Sequence, residues 1–169
     1  MLKIINNLHI FFEDCYQRYG VREYARKMHI SPPTASKILQ IYEKESLLKK
    51  EKDRQYILYY ANKESKEFIL LSQVYWNIQL RKVITYIETQ TILPTLILFG
   101  SLSKGETKKD SDIDLALITL QKNINLIPFE KKLKRKIQLF SFSSITEIKN
   151  KELANNIING RILVGRLSI

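Results

Sequence analysis

The 169 residues are long enough for one ordinary domain or two small ones, and 44% of them are hydrophobic, which supplies a core for each. The single Cys15 excludes an internal disulfide, and the absence of Cys pairs and Cys/His clusters argues against structural zinc. No apolar run approaches the roughly 20 residues of a spanning helix, and acidic residues stand where a signal peptide would be cleaved. We therefore expect a cytoplasmic protein with no membrane partner.

The net charge of +11 is spread over the chain, with 15 basic and 10 acidic residues in 1–90 and 13 and 7 in 91–169. Such an excess favours an anionic partner, either nucleic acid or nucleotide phosphates. The alternative is a Lys-rich composition in which the lysines only solvate the surface.

Three helices are predicted at the start of the chain. The first runs over Leu2–Tyr19, where apolar residues recur every three or four positions, and Gly20 ends it. A second, short helix covers "VREYARKMHI". Ser31 is a plausible N-cap for a third helix, which opens with Pro32 and continues to about residue 45.

After the helices, "LLKKEKDRQYILYYAN" predicts two strands, Leu47–Lys49 and Gln55–Tyr60, around the charged loop Lys50–Arg54. Residues 1–62 thereby resemble the winged helix-turn-helix regulators of bacteria and archaea. The resemblance implies double-stranded DNA as a partner, with the third helix in the major groove and the hairpin along the backbone. The implied DNA-binding residues are Thr34, Ser36, Lys37 and Gln40 on the helix and Lys50, Lys52 and Arg54 on the hairpin. A helical scaffold for protein contact or dimerisation remains the alternative.

Residues 63–93 are predicted to link two domains. No Gly or Pro interrupts Lys63–Gln90, and a helix of that length would span about 40 Å. It would bridge the domains, or it would pair with the same helix of a second copy through apolar and aromatic positions that include Trp76, giving a homodimer.

Residues 94–169 predict a small α/β domain with a mixed sheet, so the whole chain is expected to be α+β in class. The predicted strands are Thr95–Phe99, Asp112–Thr119 and Arg135–Phe142, and the predicted helices are Ser101–Gly105, Phe129–Lys134 and Glu147–Asn159.

The stretch "GSLSKGETKKDSDIDLALI", residues 100–118, joins the first two of these strands. Gly100 lets the backbone turn tightly, and Ser101 at a helix start offers a hydroxyl and amides to a phosphate. Asp112 and Asp114 lie two positions apart in a strand, so their carboxylates share one face. Two ionised carboxylates so close favour a hard cation such as Mg²⁺ or Mn²⁺ carrying a nucleoside triphosphate. A plain turn beside an acidic strand edge is the alternative.

The Gly-Ser pair, ten intervening residues and Asp-Ile-Asp resemble the signature of the nucleotidyltransferase superfamily, the fold shared with DNA polymerase beta. The stretch is most similar to the minimal nucleotidyltransferase branch, and "NIINGRILVG" resembles the end of those domains. The resemblance implies transfer of a nucleoside monophosphate from an NTP, with ATP as the expected nucleotide, to a hydroxyl group. Asp112 and Asp114 would hold two Mg²⁺ about 3.5–4 Å apart, while Ser101 and Lys104 would hold phosphates. For Lys104, an exposed lysine without a ligand is an equal alternative.

One position departs from the family pattern. The family usually supplies a third carboxylate from the next strand, and the aligned residue here is Gln138. An amide is not a general base and does not neutralise a cation, so transfer would be slow while nucleotide binding survived. Glu130 and Glu147 are the candidate substitutes.

Two functions follow from this sequence. The chain is either a Mg²⁺-dependent nucleotidyltransferase, or a catalytically impaired transcription regulator that binds DNA and a nucleotide. For the enzyme, the minimal branch implies an antitoxin-like role in which a helical, toxin-like protein supplies the hydroxyl, with nucleic acid and small molecules as other acceptors. The run "KKLKRK", residues 131–136, would bind triphosphate or nucleic acid beside the site, or form a solvated face.

Overall fold

A computed structural model describes residues 2–120 and 124–167 as a mixed α/β chain with two sheets. The chain forms two compact units. Unit 1 contains Met1–Tyr75 and Gly105–Lys109, and unit 2 contains Trp76–Lys104 and Asp110–Ile169. No helix within the described ranges is long and apolar enough to cross a membrane.

Unit 1 begins with three helices and a hairpin, in the predicted order. The elements are α1 (Lys3–Glu13), β1 (Tyr19–Gly20), α2 (Val21–Met28), α3 (Pro32–Lys44), β2 (Leu48–Asp53) and β3 (Tyr56–Ala61). The strands form one antiparallel sheet in the order β1-β3-β2. Its core is rich in aromatic rings, with Phe11 stacked against Tyr24 at 6.1 Å between centroids.

Helix α3 begins where the sequence places it. The Ser31 hydroxyl accepts a hydrogen bond from the Thr34 amide at 3.4 Å, and Pro32 occupies the first helical position. Ala35 and Leu39 are fully buried on one face of α3. The opposite face is therefore exposed to solvent.

The predicted end of the first helix is wrong. Helix α1 ends at Glu13, and the Asp14 side chain accepts a hydrogen bond from the Tyr16 amide, which starts a turn. Tyr19 instead forms a short strand opposite Tyr59. Cys15 is buried, and burial is the main cause that raises its pKa to about 11.

The predicted charged loop Lys50–Arg54 is also wrong. Lys50 and Lys52 lie within β2, opposite Tyr59 and Ile57, and the turn holds only Arg54 and one further residue. Strand β2 is charged from Lys49 to Asp53, and Lys50 and Lys52 are exposed, so the hairpin keeps its backbone pairing while both lysines face water.

The remaining elements lie in unit 2, except that α4 (Lys66–Gln90) begins in unit 1. They are β4 (Thr95–Phe99), α5 (Gly100–Lys104), β5 (Ile113–Ile118), α6 (Ile127–Leu133), β6 (Ile137–Phe142), α7 (Lys151–Ile158) and β7 (Arg161–Val164). Helix α4 starts later than the predicted Lys63, because the Ser65 hydroxyl caps it by accepting from the Phe68 amide at 3.2 Å.

Two further differences concern the end of the chain. The predicted helix Glu147–Asn159 starts later in the structure. A 3₁₀ turn, Ile145–Glu147, comes first, and α7 follows with the Asn150 side chain as its N-cap. Strand β7 was not predicted, because its four residues carry no alternation long enough to recognise.

The sheet of unit 2 has the order β6-β5-β4-β7. Strands β5 and β6 are parallel, with α6 between them in sequence, and the other pairs are antiparallel. Every residue of β4 is buried, as expected for a central strand. One face carries a core cluster of Ile97, Phe99, Ala116, Ile148 and Ile157, against which residues of α7 pack.

Candidate nucleotide and metal site

The candidate site lies at one end of the unit 2 sheet. Asp114 is opposite Phe99 of β4 on one side and opposite Gln138 of β6 on the other. Because Gly100 follows Phe99 directly, the register brings the Gly-Ser turn, the Asp pair and Gln138 to one place.

Gly100 is required by the way this turn packs. Its φ is +70°, a backbone conformation that side chains disfavour, and a Cβ at this position would collide with the Asp114 carboxylate. The Ser103 hydroxyl donates a hydrogen bond to the Gly100 carbonyl at 2.8 Å and holds the turn closed. The glycine thus allows the backbone to lie directly against a carboxylate.

Electrostatics at the Asp pair favour a bound cation. Burial raises the pKa of Asp114 above its usual value, and the negative charge of Asp112 raises it further. A divalent cation beside the two carboxylates would favour their ionised forms and would therefore lower the pKa of Asp114. The oxygens of these two carboxylates are hard ligands of the kind that fits one Mg²⁺ or Mn²⁺.

Gln138 lies where the third carboxylate of the family is expected. Its Nε2 donates a hydrogen bond of 2.6 Å to Oδ2 of Asp112. Across residues 2–120 and 124–167, no three His, Cys, Asp or Glu side chains come together as a metal-binding group. The ligands for a second cation are therefore incomplete in the described part of the chain.

Neither candidate substitute replaces that carboxylate. Oε1 of Glu130 accepts a hydrogen bond from the Ile137 amide at 2.8 Å, and Oε2 of Glu147 accepts one from the Ser143 amide at 2.9 Å. Both glutamates hold the backbone at the ends of β6.

Arg135 belongs to the basic run 131–136 that the sequence places beside the site, but its contacts there were not predicted. Its Nη1 donates a 2.6 Å hydrogen bond to the carbonyl of Ser111, the residue before Asp112. Its guanidinium also lies 5.1 Å from the ring centroid of Trp76. Arg135 is the only arginine in this run, but no spacing or periodicity in the sequence indicates its partners.

The same contact corrects the expectation for Trp76. This side chain is only 2% exposed and is stacked with Arg135 of its own chain, so it is not available to pair with a second copy.

The two remaining site residues lie on the short helix α5. Ser101 is half-buried in the turn after Gly100. Lys104 is exposed and is the last residue of α5.

The residues implied for DNA binding lie on α3 and the hairpin of unit 1. On α3, the Thr34 hydroxyl is 2.8 Å from that of Ser31, Gln40 donates to the Ser36 hydroxyl at 3.2 Å, and Lys37 is exposed. On the hairpin, Lys50 forms an ion pair of 3.3 Å with Glu43, while Lys52 and Arg54 are exposed.

Residues 81–168, more than half of the chain, match the protein family described as Polymerase beta, Nucleotidyltransferase. No curated protein matches the chain. Among solved structures, a double mutant of Lactococcus lactis ZitR is similar, with 19% sequence identity and a TM-score of 0.39 over 52% of this chain and 60% of that chain.

Proposed function

Because the chain belongs to the polymerase beta nucleotidyltransferase family, we propose that it is a DNA-binding regulator that binds a nucleoside triphosphate with Mg²⁺ and transfers nucleotides slowly or not at all. The observation that carries the proposal is the hydrogen bond from Gln138 to Asp112. A neutral amide in this place neither draws a proton from an attacking hydroxyl nor balances the charge of a second cation.

Nucleotide binding depends on residues other than Gln138, the position that departs from the family pattern. Asp112 and Asp114 would hold the cation, Ser101 and the amides of the α5 turn would contact phosphate oxygens, and Lys104 would add positive charge. When bound, the cation supplies charge neutralisation for the triphosphate. ATP is the first nucleotide to test.

DNA binding rests on unit 1, whose α2, α3 and β2–β3 hairpin have the element order of a winged helix-turn-helix. In that arrangement α3 presents Thr34, Lys37 and Gln40 to the major groove, and Lys52 and Arg54 of the hairpin contact phosphates. Readers of this kind bind two-fold symmetric sites as dimers, so we propose a homodimer on DNA.

Nucleotidyl transfer is the second candidate function, favoured by the register that pairs Asp114 with Phe99, the residue before Gly100. The acceptor would be a hydroxyl group of a protein, such as a helical toxin-like partner, of a nucleic acid or of a small molecule. The first candidate is better supported, because the third carboxylate is absent from the described site.

The test is to measure duplex affinity with and without Mg²⁺·ATP, using a duplex selected from a random pool. Two ligands that share one regulated protein change each other's affinity reciprocally, by about 5- to 150-fold in typical cases. We expect such a change for the native chain and none for Asp112→Asn/Asp114→Asn.

Duplex binding should weaken in Lys37→Ala/Arg54→Ala, with a smaller salt dependence.

If Mg²⁺·ATP does not change the affinity of the native chain for the duplex, regulation by nucleotide is contradicted. Unchanged duplex binding in Lys37→Ala/Arg54→Ala would contradict the DNA-reading role of α3 and the hairpin.

A further inference from the structure

Unit 1 contains a cavity of about 430 Å³ that the proposed function does not use. Its wall comes from four parts of the chain: the turn after α1, the hairpin β2–β3, the turn before α4 and the segment Gly105–Lys109. The side chains that line it include Tyr16, Arg18, Lys49, Tyr60, Lys63 and Glu106. Cavities that bind small molecules typically have roughly 300–1,000 Å³, so this one is large enough for a metabolite.

Hydrogen bonds hold the wall of this cavity in place. The Cys15 amide donates to the Thr107 carbonyl at 2.9 Å, which joins the turn after α1 to the last of these four parts. The turn that carries Lys63 lies between Asn62, whose side chain donates to the Ser46 carbonyl at 2.8 Å, and the capped start of α4. Little backbone has to become ordered when a ligand binds, which lowers the entropic cost of binding.

Positive charge collects around two tyrosine rings of the cavity. The Lys63 ammonium lies 3.9 Å from the ring centroid of Tyr16, and the Lys108 ammonium lies 5.3 Å from the same centroid. The Arg18 guanidinium lies 5.1 Å from the ring centroid of Tyr60. The rings attract cations but do not neutralise them, and two ammonium groups at one ring repel each other. An anion beside these groups would offset that repulsion.

The acidic side chains nearby leave this charge available to a ligand. Within residues 2–120 and 124–167, Lys63 forms no ion pair. Arg18 and Lys49 do form ion pairs, with Glu51 and Glu64, but the Glu64 side chain is 85% exposed against 40% for Lys49. Ion pairs with so much exposure to water are weak, so an anion in the cavity can take the place of the glutamates.

We propose that this cavity binds a small organic polyanion, a compact molecule with two or three carboxylate or phosphate groups. Several anionic groups are needed because Arg18, Lys49 and Lys63 stand on three different parts of the wall. Cations already cover one face of Tyr16 and of Tyr60, so the arrangement favours a compact polyanion over a stacked aromatic ring. The proposal goes beyond the proposed function, since it gives unit 1 a ligand that needs neither DNA nor the Asp pair.

The experiment uses the full chain, isotopically labelled only at its cysteine nitrogen. Cys15 is the single cysteine and lines the cavity, so the nuclear magnetic resonance spectrum contains one amide signal, which reports from the site itself. Citrate and bisphosphoglycerate are the probes, titrated at constant ionic strength without Mg²⁺, and together they show whether carboxylate or phosphate groups are preferred. Acetate is the control with a single charge.

The test variant is Lys63→Gln. The matched control is Lys27→Gln, which removes an exposed lysine that lies 5.6 Å from the ring centroid of Tyr19 and does not line the cavity. We expect a polyanion to shift the Cys15 signal saturably, and Lys63→Gln to weaken this binding about tenfold, the effect of losing one charge-assisted hydrogen bond. Lys63→Arg should retain most of the affinity because it keeps the charge, and Lys27→Gln should bind like the native chain.

Three results would overturn the proposal: a Cys15 signal that neither probe shifts, acetate binding as tight as that of the polyanions, or equal polyanion affinities in Lys63→Gln and Lys27→Gln. Asp112→Asn/Asp114→Asn separates this proposal from the proposed function, since it should abolish Mg²⁺·ATP binding and leave the polyanion titration unchanged. Loss of the polyanion-induced shift in that variant would assign the ligand to the nucleotide site and also overturn the proposal. If the polyanion binds the native chain while Mg²⁺·ATP does not, only the proposed function fails.

Discussion

Gln138 differs from glutamate only in its terminal group, which is an amide instead of a carboxylate. This difference decides whether the site can bind a second cation. As an amide it donates a hydrogen bond to Asp112. As a carboxylate it would repel Asp112 in the absence of metal and would require a cation between them. The residue therefore stabilises the metal-free Asp pair at the expense of the chemistry that a third acid supplies.

Gln138→Glu should create nucleotidyl transfer or raise it by about 10²-fold, since a positioned general base contributes about 10²- to 10⁴-fold. The measurement is release of labelled pyrophosphate from ATP, with Mn²⁺ binding as a second readout. Gln138→Asn, which keeps an amide, is the matched control. Native protein that already transfers as fast as Gln138→Glu would show that the missing carboxylate does not limit the reaction.

Asp114 lowers the stability of the metal-free protein by an amount that depends on pH. Its pKa is raised by burial and by Asp112, so the folded chain retains the proton at pH values where the unfolded chain has lost it. Stability therefore falls as pH rises from the ordinary value of 3.8 through the raised pKa, and the loss persists above it.

Asp114→Asn should accordingly raise the melting temperature of the metal-free protein at pH 7, by roughly 2–4 °C for each kcal/mol relieved in a chain of this size. The gain should shrink as pH falls below the raised pKa, and added Mg²⁺ should stabilise the native chain but not the variant. Asp110→Asn, at an exposed position in the turn before β5, is the control. A lower melting temperature for Asp114→Asn at pH 7 would contradict this description of the Asp pair.

At the scale of elements, the connection between α6 and β6 does more than join them. Through Arg135 it holds the backbone before Asp112 and covers Trp76. Because Trp76 is the only tryptophan in the chain, its fluorescence reports on this contact directly.

Arg135→Ala should weaken Mg²⁺·ATP binding by about tenfold, the effect of losing roughly 1.4 kcal/mol from one charge-assisted hydrogen bond that positions Asp112. The Trp76 emission of the metal-free protein should shift at the same time. Arg135→Lys keeps the charge but loses the planar fork, so it should recover little of the affinity. Full ATP affinity in Arg135→Ala would show that the Ser111 contact does not position the site.

The elements themselves were largely predictable, and the exceptions have physical causes. Strands β4 and β5 and helix α3 follow from an apolar run, an alternation and a capped proline start, all of which are local signals. The end of α1 and the late start of α4 depend on side-chain hydrogen bonds of Asp14 and Ser65, which compete with the helical pattern. The lysines of β2 lie opposite residues of β3 in an antiparallel pair, and this pairing cannot be recognised in the run of charged residues alone.

The candidate site was predictable only in part. Asp112 and Asp114 could be paired because residues two positions apart share one face of a strand, and Gly100 because a glycine directly after an apolar run indicates a tight turn. The hydrogen bonds of Gln138 to Asp112 and of Arg135 to Ser111 join residues 26 and 24 positions apart, and that of the Ile137 amide to Glu130 spans a turn; no periodicity encodes any of them.

At the scale of the whole molecule, the chain combines two compact units with different expected ligands. The division falls within α4, between Tyr75 and Trp76, and the segment Gly105–Lys109 belongs to unit 1 although it lies in sequence between the two halves of the nucleotide motif. The positive charge of both halves suits phosphate ligands in each.

The proposed function depends first on whether Asp112 and Asp114 hold a divalent cation with a nucleotide. The most direct measurement is calorimetry of ATP and the other triphosphates, with and without Mg²⁺, on the native chain and on Asp112→Asn/Asp114→Asn. We expect binding that requires both Mg²⁺ and the two aspartates. Absence of binding to the native chain, or equal binding by the variant, would contradict the claim and leave DNA reading by unit 1 as the remaining function.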